Sequence, residues 1–197
     1  MLTETLRALR PAAVLLLGMT AVTGLAYPAA ITAIAQVAMP GNANGSLIED
    51  RGRVIGSRLI GQNFKTARYF HPRPSAAGTD GYDAGASGAT NLAPGSQDLR
   101  DAIARRVRDA RADGMTGSVP ADLVTTSASG LDPDLSPQAA LSQVARIARV
   151  RGMEVATLRA LVAARIERPV LGIIGEPHVN VLLLNRQLDA LSATTAR

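Results

Sequence analysis

The stretch AAVLLLGMTAVTGLAYPAAITAIAQVAM, residues 12–39, decides how this chain of 197 residues is organised. It lies within a longer uncharged run, because no Asp, Glu, Lys or Arg occurs between Arg10 and Glu49. About 20 helical residues cross a hydrocarbon core of about 30 Å, so this stretch is long enough to span a membrane once. Pro28 interrupts the helical pattern and predicts a kink, which a membrane helix tolerates.

A cleaved secretory signal is the alternative for this segment, since Arg7 and Arg10 precede it and Ala33-Ile34-Ala35 fits a cleavage site. The apolar part of a signal is about 7–15 residues long, however, and this run is much longer. We therefore expect a retained membrane anchor. Gly18 and Gly24 are the small residues at which a second membrane helix could pack closely.

The flanking charges predict the orientation of the anchor. Arg7 and Arg10 precede the span with only Glu4 against them, and positive charge favours the cytoplasmic side. The predicted order is a cytoplasmic N-terminus at 1–11, a single span of the inner membrane at 12–39, a linker at 40–45, an extracytoplasmic domain at 46–192 and a tail at 193–197.

The composition excludes several classes of protein. The chain has no cysteine, so thiol catalysis, a disulfide framework and a Cys-ligated metal are all excluded. Its net charge of +5 is nearly all arginine, and the densest basic cluster, at residues 105–111, is interleaved with aspartate. With 3% aromatic residues, this cluster is typical of a solvated helix face rather than a nucleic-acid surface.

Two strand regions are predicted in the outer domain. Leu47-Ile48 and Val54-Ile55 flank Arg51-Gly52, which indicates a hairpin, and residues 59–61 could continue its second strand. The apolar run at 170–174 is expected to be a short buried strand.

Helices are predicted in the second half of the chain. Ser96 and Ser136 are suitable N-caps, and Gly152 should end the helix that Ser136 begins. Apolar stripes predict two further helices, over 155–162 and 180–191. The expected fold class is α/β (α+β), with one N-terminal transmembrane helix followed by a single mixed domain.

Residues 65–96 form a long connection rich in Gly, Pro, Ser and Ala. It contains Tyr69 and Phe70, so we predict an ordered irregular loop that packs or binds something rather than a disordered one. No phosphate-binding loop is present, and His71 and His178 are not at ligand spacing. We therefore predict no catalytic residue and no metal site in this chain.

Five stretches, taken in order behind one span, resemble the C subunit of the Kdp potassium-transporting P-type ATPase. They are GSRLIGQNF (56–64), YFHPRPSAAG (69–78), VPADLVTTSASGLDPDLSP (119–137), QVARIARVRG (143–152) and GEPHVNVLLLN (175–185). The resemblance implies a non-catalytic accessory subunit of a high-affinity, ATP-driven potassium importer. The implied partners are a pore-forming A subunit, an ATP-hydrolysing B subunit and a small F subunit, which the C subunit holds together in the membrane.

The resemblance also implies a catalytic-chaperone role, in which the C subunit raises the affinity of the B subunit for ATP. The family's proposed nucleotide contact is a serine- and glycine-rich stretch that matches residues 87–91, although Ala89 and Thr90 stand where glycine and serine are usual. The predicted nucleotide or partner contacts are Arg73, Ser75, Ser87, Gly88 and Asn91. ATP is cytoplasmic, so this role conflicts with the predicted orientation.

Two other classes of protein stay open at this point. A membrane-anchored extracytoplasmic protein that captures a small ligand in the 65–96 loop would be stable alone, whereas an accessory subunit requires partners. A secreted hydrolase would need cleavage near Ala35 and a catalytic triad, which the two histidines do not supply.

Overall fold

A computed structural model describes residues 2–169 and 171–195 of the chain. The chain divides into two compact units, Met1–Leu47 and Ile48–Arg197. The first unit is almost entirely helical, and the second combines helices with short strands. The predicted mixed α/β (α+β) class, with one N-terminal apolar helix, is therefore confirmed.

The N-terminal unit is one long helical run with a local widening. It consists of α1 (Leu2–Ala21), a π-helical turn (Val22–Ala26), α2 (Tyr27–Ala38) and the single turn α3 (Pro40–Ala43). Within it, Arg7–Ala38 is apolar and long enough to cross a membrane, at 32 residues, and its most apolar window has no buried residue. Such a uniformly exposed apolar helix is consistent with a single membrane span.

The π-helical turn explains how the helix passes Pro28. Proline lacks an N–H and its ring crowds the preceding turn of the helix. Here the Tyr27 N–H donates to the Val22 carbonyl, five residues back, so the turn is wider just where the ring needs room. The helix therefore continues beyond the proline instead of ending there.

The predicted hairpin is present. Strands β1 (Leu47–Asp50) and β2 (Arg53–Ser57) form a two-stranded sheet. The two residues between them, Arg51 and Gly52, have φ values of 48° and 76°, as the favoured two-residue hairpin turn requires. The expected continuation through residues 59–61 is wrong, because the Ser57 hydroxyl accepts from the Leu59 N–H at 3.1 Å and the chain turns there.

Among the residues that the structure describes, the rest of the second unit contains five helices and two very short strands. In chain order these are α4 (Gln97–Ala112), a 3₁₀ turn (Ala121–Leu123), β3 (Asp134–Leu135), α5 (Pro137–Ser142), α6 (Val144–Arg151), α7 (Val155–Ala163), β4 (Val179–Asn180) and α8 (Val181–Thr195). Strands β3 and β4 pair antiparallel. Since α8 follows β4 directly in the chain, the pairing places the start of α8 beside the segment that leads into α5.

Both predicted N-caps are confirmed. The Ser96 hydroxyl accepts from the Leu99 N–H, and the Ser136 hydroxyl accepts from the Ala139 N–H, each at 3.2 Å. The helix that Ser136 begins is not continuous, however, because it divides into α5 and α6 at Gln143. Gly152, with φ of 64°, ends α6 as expected.

The hydrophobic core is built by α5 to α8 and the paired strands β3 and β4, together with Phe70 from the long loop. Fully buried side chains include Phe70, Ile147, Leu158, Leu184 and Leu188. Aliphatic residues dominate, as the scarcity of aromatic residues in the sequence requires. Phe70 is the exception, and its position fixes where the long loop crosses the core.

A buried strand is predicted at 170–174. Val170 lies outside the described residues, and for residues 171–174 the prediction is wrong. Leu171, Ile173 and Ile174 are 86%, 82% and 61% exposed. They belong to a loop whose ends are joined by the backbone pair Glu167–His178. The described residues 171–174 therefore lie outside the core.

Candidate functional site

The 65–96 loop has no helix or strand, yet side-chain amides hold it on the core. The Phe70 N–H donates to Asn185 Oδ1 at 2.9 Å, and Asn185 Nδ2 donates back to the Phe70 carbonyl at 3.0 Å. Gln143 treats the next residue in the same way, with bonds of 2.8 and 3.0 Å to the N–H and carbonyl of His71. Each buried amide therefore pairs with both backbone polar groups of one loop residue, as a neighbouring strand would.

Arg146 fastens the preceding residues of the loop. Its guanidinium donates to the carbonyls of Ala67 and Tyr69 and to Gln143 Oε1. The residue is only 7% exposed. A buried arginine with three acceptors is expected to order the segment that supplies them.

Arg73, a predicted contact residue, pairs with a distant carboxylate. Its Nη1 lies 2.8 Å from Asp132 Oδ2, while 23% and 29% of the two side chains are exposed. The Tyr82 hydroxyl donates to the Arg73 carbonyl at 2.6 Å. Burial raises the pKa of Tyr82 well above its usual value, and Asp132 adds to the shift, so this hydroxyl keeps its proton.

Ser75, the second predicted contact, closes the same part of the loop. Its hydroxyl donates to the Gly130 carbonyl at 2.6 Å and accepts from the N–H groups of Ala77 and Tyr82. A Cβ at Gly130 would lie 2.8 Å from atoms of Ala77 and from the Gly88 carbonyl oxygen. The loop and the Gly130 segment are therefore in close backbone contact, which requires glycine there.

Ser87 and Gly88 share one hydrogen-bond acceptor. The Ser87 hydroxyl and the Gly88 N–H both donate to the Ser129 carbonyl, at 3.0 and 2.9 Å. Asn91 lies apart from them, at a φ of 51°, and its amide bonds weakly to the Ala89 carbonyl at 3.4 Å. Nucleotide or partner contact by the five predicted residues stays a prediction, but four of them fasten the loop to residues 129–132.

A cavity of about 180 Å³ lies between the loop and α4. Its lining includes His71, Arg106, Asp109, Asp113 and Arg146. The sequence analysis missed it because its walls come from segments far apart in the chain. The sequence feature that could have indicated this cavity is the helical spacing of the charged residues along α4.

His71 is the residue of the loop that lines this cavity with a titratable side chain. Its Nε2 lies 3.0 Å from the Thr66 carbonyl oxygen and its Nδ1 lies 3.9 Å from Asp113 Oδ2. Burial, with a smaller effect of the Arg146 charge, lowers the pKa of His71. The neutral ring is therefore favoured, and its Nε2–H is placed to donate to Thr66.

Arg106 corrects the prediction that residues 105–111 form a solvated face. It is half-buried, and its Nη1 donates to the Val124 carbonyl at 2.8 Å. Burial lowers its pKa. Arg105, Arg108 and Arg111 are exposed, as predicted for a solvated face.

A second charged cluster lies at the start of the exposed loop. Arg58 Nη2 lies 2.6 Å from Glu167 Oε2. His178 Nε2 lies 3.8 Å from Glu167 and 3.9 Å from Asp134. Burial is the main cause that raises the pKa of Asp134, and His178 opposes it. Among the described residues, no group of three or more His, Asp or Glu could hold a metal ion.

Gly18 and Gly24 lie on the exposed surface of the apolar helix. A Cβ at Gly18 would meet nothing within 4 Å, and one at Gly24 would meet only Thr20 Cγ2 at 3.9 Å. The fold of the N-terminal unit therefore does not itself require glycine at either position. Packing against a second membrane helix stays a prediction.

Comparison with known proteins identifies the family. A family model described as K⁺-transporting ATPase, c chain (KdpC), matches residues 9–190, which include almost all of the apolar helix and of the second unit. This chain belongs to the KdpC family. The resemblance carried by the five sequence stretches is confirmed, and the chain is a subunit of a potassium-transporting ATPase complex.

Curated relatives agree with the family model over nearly their whole length. The chain is 55% identical to the potassium-transporting ATPase KdpC subunit of Gemmatimonas aurantiaca, over 95% of this chain and 94% of the relative. The protein of the same description from Bradyrhizobium diazoefficiens is 50% identical, over 95% and 99%. That of Rhodospirillum rubrum is 54% identical, over 93% and 96%.

Proposed function

We propose that this KdpC-family chain is a non-catalytic accessory subunit of a high-affinity, ATP-driven potassium importer. It would be held by one helix with a cytoplasmic N-terminus, and would stabilise the assembly of the pore-forming A subunit, the ATP-hydrolysing B subunit and the small F subunit. The carrying observation is that the described residues contain one helix, Arg7–Ala38, that is apolar and long enough to cross a membrane. One such helix does not by itself enclose an ion pathway, which supports an accessory role.

The hydrogen bonding of the 65–96 loop supports an assembly role over direct nucleotide binding. Phosphate oxygens are bound by N–H and O–H groups that point towards the ligand. The Ser87 hydroxyl and the Gly88 N–H instead donate to Ser129. The residues therefore do not fit an ATP cradle as they stand, and we propose no ATP-dependent step at this loop.

The charges around the helix support an extracytoplasmic domain. Arg7 and Arg10 precede the apolar run, and positive charge favours the cytoplasmic side. A domain outside the membrane could cover the outer potassium entrance of the pore subunit. The catalytic-chaperone role implied by the family would instead need this domain in the cytoplasm, with the ATP.

Cysteine labelling tests the orientation, because the native chain has no cysteine. Ala86→Cys places a thiol on the exposed part of the loop, and Ala8→Cys places one on the N-terminal side of the apolar stretch at residues 12–39. In intact cells, a membrane-impermeant maleimide should label position 86 and not position 8. The reverse pattern would overturn the orientation and favour the chaperone role.

Assembly is tested by expressing the complex with and without this chain. Deleting it should sharply reduce the amount of B subunit that co-purifies with a tagged A subunit, while the expression of both subunits is unchanged. An A–B complex of normal yield and lifetime without the chain would contradict the stabilising role.

A further inference from the structure

The cavity between the 65–96 loop and α4 has an apolar part and a charged part. The apolar part of its lining consists of Pro72, Ala110, Met115 and Leu123. Asp109 and Asp113 belong to the charged part, and both residues are exposed. A cavity of about 150 Å³ can hold a ligand the size of benzene, so the volume here, about 180 Å³, suits a small organic molecule.

Most of the hydrogen-bond donors in the lining already have acceptors within the protein. Arg146 donates through both Nη atoms, and Arg106 Nη1 donates to a backbone carbonyl. The Gln143 amide and the Ser142 hydroxyl also donate to backbone carbonyls. A ligand that can only accept hydrogen bonds, such as a carboxylate, would therefore find few free donors in this cavity.

Acceptors, in contrast, are free in the same lining. The Nε2–H of His71 is placed to donate to the Thr66 carbonyl, so Nδ1 carries a lone pair. The nearest carboxylate oxygen, Asp113 Oδ2, lies 3.9 Å from Nδ1, too far for a hydrogen bond. Within the part of the chain that the structure describes, neither the Asp109 nor the Asp113 carboxylate accepts a hydrogen bond. This part of the cavity therefore requires a ligand that brings donors.

A protonated primary amine satisfies this requirement. Its nitrogen carries three N–H donors, and charged N–H groups bond at about 2.8 Å. Because His71 Nδ1 and Asp113 Oδ2 are 3.9 Å apart, one nitrogen between them can bond to both. Asp109 lies one helical turn before Asp113 on α4 and adds a second negative charge. The alkyl part of the amine would contact the apolar lining.

We propose that this cavity binds a small primary amine in its protonated form, with the nitrogen between His71 and Asp113. Arg106 and Arg146 also line the cavity, and their positive charge should keep the affinity for a cation modest. The proposed site lies within this chain and does not depend on the accessory role, so either proposal can fail without the other.

Titration with n-butylamine tests the site, using the full chain in detergent and a phosphate buffer that contains no amine. His178→Gln leaves His71 as the only imidazole, so its ring signals in NMR report on the cavity directly. An amine of this size should bind with a Kd of about a millimolar. Butyrate and 1-butanol match its alkyl chain without the ammonium group, and both should bind at least about tenfold more weakly.

Asp113→Asn tests the carboxylate, because asparagine keeps the shape of the side chain and removes its charge. The Kd for butylamine should rise about tenfold or more. The matched control is Asp98→Asn, at an exposed aspartate of α4 that does not line the cavity. It should leave the Kd unchanged, and both variants should keep the thermal unfolding midpoint of the native chain.

The affinity should also fall at acid pH. Asp113 and Arg146 are the charged groups that face His71, and burial lowers its pKa, so Nδ1 is an acceptor at neutral pH. Protonation of the ring removes that acceptor and adds a repelling charge. The amine itself stays protonated, since alkylammonium groups resemble lysine, with a pKa of about 10.4. The Kd measured at acid pH should therefore exceed the Kd at neutral pH.

Three results would overturn the inference. The first is that the His71 signals do not move at about tens of millimolar butylamine. The second is that butyrate or 1-butanol binds as tightly as butylamine, which would show that the cavity takes any small apolar chain. The third is an equal shift with potassium chloride at the same concentration, or an unchanged Kd in Asp113→Asn, which would show an ionic effect without amine recognition.

Discussion

Asn185 and Phe70 lie 115 residues apart in the chain, yet a side-chain amide pairs with both backbone polar groups of the phenylalanine. Asn185 is 1% exposed and Phe70 is fully buried. A loop without regular structure can cross a hydrophobic core only if its backbone groups find partners there. Asn185 supplies those partners for Phe70, and Gln143 supplies them for His71.

Asn185→Ala should therefore destabilise the domain strongly. It leaves the buried N–H and carbonyl of Phe70 without a partner, so the free energy of unfolding should fall by about 3 kcal/mol. Urea unfolding of the chain in detergent, followed by circular dichroism, measures the change. The control, Gln138→Ala, removes an exposed amide and should change the free energy by less than about 0.5 kcal/mol.

Gly130→Ala should be more harmful than Gly117→Ala. Both glycines have positive φ, 68° and 79°, so alanine incurs similar backbone strain at each. A Cβ at Gly130 would lie 2.8 Å from Ala77 and from the Gly88 oxygen, whereas one at Gly117 meets nothing within 4 Å. The difference in the free energy of unfolding should be about 1–3 kcal/mol. Equal losses of unfolding free energy would show that the 65–96 loop can shift away from residues 129–132 to accommodate the added Cβ.

His71 should titrate below the usual histidine pKa of about 6.5, because burial and the Arg146 charge disfavour its protonated form. The unfolded chain then binds the proton more readily. The His71 contribution to stability is therefore complete above about pH 6.5 and falls as the pH drops from there towards the folded-state pKa.

Histidine NMR measures this pKa directly. The chain has two histidines, so His178→Gln leaves His71 as the single imidazole signal. A midpoint at or above about 6.5 would contradict the prediction. His71→Gln should remove this part of the pH dependence of unfolding, while Asp113 and the Thr66 carbonyl, which face the ring, remain in place.

The Arg73–Asp132 pair should contribute more to stability than the Arg58–Glu167 pair. Both have short contacts, at 2.8 and 2.6 Å, but Arg58 is 53% exposed and Arg73 only 23%. Water screens the more exposed pair. Double-mutant cycles with alanine should give a coupling of about 1 kcal/mol for Arg73–Asp132 and below about 0.5 kcal/mol for Arg58–Glu167. Larger coupling in the exposed pair would reverse this order.

Features that depend on neighbouring residues could be predicted from the sequence. The apolar helix follows from a run without charges. The caps follow from a serine directly before each helical pattern, at Ser96 and Ser136, whose hydroxyl accepts from the N–H three residues later. The hairpin at Arg51-Gly52 follows from the backbone freedom of its turn. These are local interactions, so a short window of sequence contains all of their participants.

The predictions that were wrong concern residues whose environment is set by distant parts of the chain. Residues 171–174 have the composition of a buried strand, but the Glu167–His178 pairing holds them outside the core. Arg106 has the spacing of a solvated residue, but Val124 lies where its guanidinium can donate. The hydrophobicity of a segment does not by itself determine whether the segment lies in the core.

The sequence by itself determined the apolar helix, the family and the helix starts, because each rests on short stretches of neighbouring residues. Only the tertiary structure decided that Ser75, Ser87 and Gly88 fasten the loop to residues 129–132. It also decided that Leu171 and Ile173 are exposed. The reason is that hydrogen-bond partners and burial depend on which distant segments meet, and chain folding alone brings those segments together.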